Sequence, residues 1–164
     1  MTKIVALGCM FFVCMLIAGC EDKYPTDTHL RVEFLQNRGA YERAAEEFLR
    51  ENLWRAEIRR DDTLEVMPQS DGDRDLALLR ELMVEEIQID LVTLGDLGEV
   101  AFFNYRRGFV FSGENKGIAF RLYDQGMDLQ RDLDRIDLQD EKMLRTRIYR
   151  RLEPHWYLFR EIFP

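Results

Sequence analysis

The chain has 164 residues, about one domain's worth, with 46% apolar residues to fill a core and 33% charged residues to solvate its surface. Its formal net charge of −8 at pH 7 excludes a basic face built to grip nucleic acid or anionic lipid. Three cysteines are present, at positions 9, 14 and 20, and all precede the polar part of the chain.

Lys3 stands before a run, Ile4 to Ile17, that carries no charge, and Ala18 and Gly19 after it are small. That is the layout of a secretory signal. From Ile4 to Cys20 the run falls short of the roughly 20 apolar residues that a helix needs to cross a hydrocarbon core. The character changes in one step at Cys20, because Glu21, Asp22 and Lys23 are all charged. Ile17, Ala18, Gly19 and Cys20 resemble the lipobox of bacterial lipoproteins: an aliphatic residue, two small ones, then the cysteine. The resemblance covers the signal and its cleavage point. It implies that the Cys20 thiol accepts a diacylglyceryl group, that the chain is cut before Cys20, and that the new amino group is acylated. Residues 1–19 would then be a cleaved signal peptide, 20–27 a lipidated tether and 28–164 a single globular domain, held by its lipid to a membrane of the bacterial cell envelope. Each buried methylene contributes about 0.8 kcal/mol, so two or three acyl chains anchor firmly. Cleavage removes Lys3, Cys9 and Cys14, which leaves no cysteine pair for a disulfide; the core must hold the domain.

A helix is predicted from about Thr28, with Leu30, Phe34, Tyr41, Ala45 and Phe48 at helical spacing and a break at Gly39. Gly39, Tyr41, Ala45 and Phe48 resemble the first helix of a tetratricopeptide repeat, but no second copy follows and such units need about three repeats. Leu53 to Met67 alternates around Arg60, Asp61 and Asp62, which predicts a hairpin. Ser70 to Asp73 matches a capping box ahead of the helical stripe Leu76, Leu79, Leu82 and Met83. From Ile87 the period becomes that of strands, in segments ending with "RIYRRL" and "WYLFREI", and Ser112 to Gly117 reads as a hairpin turn. Asp124 to Lys142 suits a long loop or a short helix. The expected fold is α+β, with helices on one face of a mostly antiparallel meander. In outline it is similar to cystatin-like or nuclear-transport-factor-like cones, which host unrelated functions.

The chemistry-bearing residue types do not assemble into a motif. Asp71, Asp73 and Asp75 have the spacing of a calcium loop, yet Leu76 and Leu82 stand where that loop needs glycine and glutamate. His29 and His155 lack zinc-site spacing, and Ser70 and Ser112 sit in no nucleophile elbow. No catalytic residue, metal ligand or cofactor is therefore assigned. The leading expectation is a binding domain for another envelope component; the alternative is a tethered enzyme or small-ligand carrier with a cleft in the sheet. Strand parity places Val100, Phe102, Phe109, Phe111, Ile118, Phe120, Leu122, Ile148, Leu152, Trp156 and Leu158 on the core face. The opposite parity presents Tyr105, Arg121, Tyr123, Tyr149 and Arg151, with a turn at Arg106 and Arg107. Tyrosine and arginine favour binding hot spots, so this is the expected partner surface. The competing expectation is that the segment 124–142 covers it.

Overall fold

A computed structural model describes residues 24–69, 76–109, 112–123, 127–135 and 147–163. Helix α1 (Asp27–Arg50) begins where the Thr26 hydroxyl accepts a hydrogen bond from the His29 N–H, which satisfies one of the free donors of the first turn. Leu30, Phe34, Tyr41, Ala45 and Phe48 bury the predicted stripe, and Ala40 and Ala44 keep the helix close to its support. The break falls at Asn37 (φ −113°, ψ 18°), two residues before the expected Gly39. Asparagine weakens helix continuity because its short amide competes for local backbone groups.

Strands β1 (Arg55–Ile58) and β2 (Leu64–Met67) form the predicted hairpin. Helix α2 (Ala77–Glu81) passes into a π-helical turn over Leu82–Glu86 and buries Leu79, Leu82 and Met83. The capping box and Asp71, Asp73 and Asp75 lie outside the described residues. The chain then forms β3 (Leu91–Leu94), β4 (Glu99–Phe109), β5 (Ser112–Arg121), β6 (Asp128–Leu129), β7 (Arg147–Glu153) and β8 (Trp156–Phe163).

Among the described residues these strands make one sheet in the order β2-β1-β3-β4-β5-β8-β7-β6, antiparallel throughout except between β6 and β7. This is the expected α+β fold with helices on one face. The order departs from a simple meander, because β8 pairs with β5 as well as β7. The turn expected over Ser112 to Gly117 is instead the first half of β5. Its glycines serve close approach: a Cβ at Gly117 would lie 1.9 Å from the Phe102 carbonyl oxygen and 2.9 Å from the Phe159 ring. Part of the 124–142 segment is described, and it contributes β6 and the turn beyond it.

The core lies between α1, α2 and the face formed by Val92, Val100, Phe102, Ile118, Ile148, Trp156 and Leu158. Phe34 meets Trp156 at 5.0 Å between ring centroids, and Tyr41 meets Phe102 edge-on at 5.2 Å. Phe120 and Leu152 pack against this cluster. Leu122 does not, because β5 ends at Arg121 and leaves it exposed. The Phe109 side chain and Phe111 lie outside what is described.

Candidate functional site

Several departures from regular backbone geometry meet around one groove. They are the kink at Asn37, the π-helical turn that ends at Glu86, the left-handed Gln88 (φ 52°), and a bulge in β4. In the bulge Phe103 opposes Gly117 and Tyr105 opposes Lys116, so Asn104 is the extra residue. The shift in parity turns both Asn104 and Tyr105 toward the helical side. The groove has a volume of about 970 Å³ and runs between Pro25, His29 and Glu33, the connector Glu86 to Asp90, and Asn104 to Arg106.

Its floor is a hydrogen-bonded trio. Glu33 Oε1 accepts from the Tyr41 hydroxyl at 2.7 Å and from Asn104 Nδ2 at 2.6 Å, and Asn104 Nδ2 also lies 3.0 Å from the Tyr41 oxygen. Asn104 Oδ1 is buried and has no hydrogen-bond partner among the described residues. Burial raises the Glu33 carboxyl above the ordinary carboxylate range, against the Tyr41 hydrogen bond, the nearby His29 and the Asn104 amide, which lower it. Burial, and then the Glu33 charge, push the Tyr41 phenol well above its usual range. The other groove carboxylates are ion-paired, Glu86 with Arg43 at 2.6 Å and Asp90 with Arg106.

Beside the groove lies a buried charge cluster. The fully buried Lys116 pairs with Asp27 at 2.8 Å and with Asp134, and donates to the Pro25 carbonyl at 3.0 Å. Arg150 and the Leu133 N–H each reach Asp27 Oδ2 at 2.8 Å. Burial alone would raise the Asp27 carboxyl, but hydrogen bonds from Lys116, Arg150 and Leu133 prevail and hold it below the ordinary range. Carboxylate oxygens of Asp27, Asp132 and Asp134 come within 4.8 Å of one another. Lys116 and Arg150 already supply the counter-charge, so the trio belongs to an ion-pair network. Tyr24 packs edge-on against Tyr105 at 5.1 Å, beneath Lys116 Nζ. Residues 24–27, expected to belong to the tether, are therefore fixed to the domain.

The predicted partner residues separate into groups. Tyr105 and Arg106 line the groove, and they lie within β4 where a turn was expected at Arg106 and Arg107. Arg121 and Tyr149 are buried on the sheet's other face. There Glu99 accepts from the Tyr149 hydroxyl at 2.6 Å and pairs with Arg121 and Arg147, while the Arg147 guanidinium lies 4.6 Å from the Phe159 ring centroid. The layer beneath consists of Leu91, Ala101, Phe103, Ala119, Tyr157 and Phe159, with Met127 from the 124–142 segment packed against it. Arg121 and Tyr149 thus spend their polar ends inside a charged roof over this layer and offer a partner no open face. Arg107, Tyr123 and Arg151 are exposed. His155 sits in the β7–β8 turn with φ 67° and Nδ1 3.0 Å from the Arg121 carbonyl oxygen, and it does not line the groove.

Sequence reasoning missed Glu33, Asn104 and Lys116. For Lys116 a signal exists: Glu114, Lys116, Ile118 and Phe120 share one parity, so a strand there buries the lysine. For Asn104 none exists, because a bulge is visible only against its partner strand. Comparison with protein-family models, curated proteins and solved structures finds no match, so the likeness in outline to cystatin-like and nuclear-transport-factor-like cones gains no support.

Proposed function

We propose that this chain is a lipid-anchored lipoprotein of the bacterial envelope whose domain is a binding module, with the groove over Glu33 as its binding site. One observation carries the site: the irregular segments converge on a single concavity floored by a desolvated carboxylate. Strained or irregular backbone persists where function needs it, and a perturbed acid in a cleft is the usual mark of a working site. The groove is large enough for a small molecule or a short polymer segment. Among its described residues no nucleophile stands beside a base, so binding is the reading that the groove supports.

The lipobox supports the anchor. Tyr24 is packed on the domain and lies four residues after Cys20, a reach of at most about 14 Å. The groove, with Pro25 in its wall, would open close to the lipid headgroups.

Two measurements test this reading. Intact mass of the detergent-extracted protein is expected to show a chain that begins at a triacylated or diacylated Cys20; unmodified Cys20 or a retained Met1 refutes the anchor. His29→Trp, which fills the groove mouth from an exposed helical position, is expected to leave fold and membrane location intact and to abolish co-purification of the envelope component. Tyr123→Ser with Arg151→Ser is expected to leave it unchanged. The reverse pattern would move the binding surface away from the groove.

A further inference from the structure

Resting on the groove as the binding site, we infer that its ligand presents a protonated amine to Glu33. The argument begins with charge. Among the described groove residues Glu86 is matched by Arg43, and Asp90 by Arg106, which also reaches Glu57. Glu33 has no ion pair among the described residues. Its two donors, the Tyr41 hydroxyl and the Asn104 amide, are neutral: they orient the carboxylate without cancelling its charge. A partly buried anion held by neutral donors is the complement of a cation that arrives from outside.

Geometry narrows the class of cation. Both internal hydrogen bonds go to Oε1. Oε2 accepts none from the described residues and is not among the buried atoms that lack a partner, and Glu33 lines the groove. A guanidinium prefers to engage both carboxylate oxygens through its planar fork, and Oε1 is already taken twice. A divalent cation needs several oxygen ligands, and the neighbouring carboxylates are committed to arginines. An ammonium group is a compact point charge that can pair with a single carboxylate oxygen and turn its remaining hydrogens to water in the groove. Tyr105, braced edge-on by Tyr24 at 5.1 Å, adds an aromatic wall that suits a cation or its methylene stem.

The amine's source is either a small molecule or a lysine side chain, and the test separates them. The full-length protein in detergent micelles is titrated calorimetrically with 1,5-diaminopentane, with Nα-acetyl-lysine amide, and with the Nα,Nε-diacetyl derivative that lacks the charge. At least one amine is expected to bind saturably and the diacetyl compound not at all. Glu33→Gln is expected to weaken binding about tenfold or more without lowering the thermal midpoint, because it removes a partly buried charge while keeping an acceptor for Tyr41 and Asn104. Tighter binding of the diamine assigns a free amine, and tighter binding of the lysine derivative assigns a peptide side chain. Affinity is expected to rise with pH as Glu33 ionises. His29 on α1, Asp90, Arg106 and Glu86 also face the groove, and Tyr41 lies beneath it, so the pH series is repeated in His29→Ala to remove the imidazole nearest Glu33. The inference is overturned if neither amine binds, if the diacetyl compound binds equally, or if Glu33→Gln binds as the wild type does. Should that happen while His29→Trp still strips the co-purifying component, only the amine assignment falls; if both fail, the groove reading falls with it.

Discussion

Lys116→Met will destabilise the domain by about 3–5 kcal/mol at pH 7, measured by urea unfolding. Methionine matches the lysine stem in volume, so the loss is electrostatic: Asp27 stays buried and keeps Arg150 and the Leu133 N–H, but loses its closest ammonium, and the Pro25 carbonyl loses its donor. Removing one member of a buried charge network is far costlier than exchanging the whole network for apolar residues. Asp27→Asn in the same chain should therefore recover part of the deficit. pH supplies a second check. Asp27 is held below its ordinary range, so its contribution is present above the unfolded value near 4 and is lost as pH falls through the lower folded value. The gap between wild type and Lys116→Met should narrow on acidification below about pH 4. A gap that stays constant to pH 2 would mean that the lysine acts through packing alone.

Gly117→Ala will have the larger effect, at least about 4 kcal/mol, with loss of a cooperative thermal transition as the extreme outcome. The new Cβ would stand 1.9 Å from the Phe102 carbonyl oxygen, a backbone atom that cannot swing aside, and 2.9 Å from the Phe159 ring. Relief requires β4 to move away from β5 at the bulge, where Phe103 opposes Gly117. Asn104 would move with it, so the trio under the groove should come apart even in molecules that stay folded. Gly39→Ala is the counterpart. It lies on exposed helix, its Cβ would meet only the Arg43 guanidinium at 3.5 Å, and it should stabilise by about 0.5–1 kcal/mol. If the two substitutions behaved alike, glycine entropy and not close approach would govern Gly117.

The apolar half of the fold was legible because each strand's alternation reports one surface, and the helices bury a stripe at the matching period. Val100, Phe102, Ile118, Ile148, Trp156 and Leu158 lie where parity puts them. Glycine was misleading at Gly113 and Gly117, since a residue without a side chain serves a turn and a tight strand crossing equally well. Parity also failed beyond Phe103, where the inserted residue reverses the sense for Tyr105. Arg121 and Tyr149 were placed on a face expected either to bind a partner or to be covered by the segment 124–142, because alternation sorts polar from apolar. It does not reveal that Glu99 and Arg147 close a charged layer over them. The site itself was nearly illegible: Glu33 and Tyr41 lie eight residues apart on α1, and only the bulge brings Asn104, 63 residues beyond Tyr41, to join them.

The placement of β8 bears on how the chain is made. It sits between β5 and β7 although it follows both in sequence, and it carries Trp156 and Leu158 at the centre of the core. Synthesis proceeds from the N-terminus, so β5 and β7 have no link to each other, and Phe34 on α1 lacks its Trp156 contact, until Trp156 to Phe163 has emerged. The strands from β1 to β5 can pair among themselves, with Tyr41 on Phe102, but β7 joins that sheet only through β8.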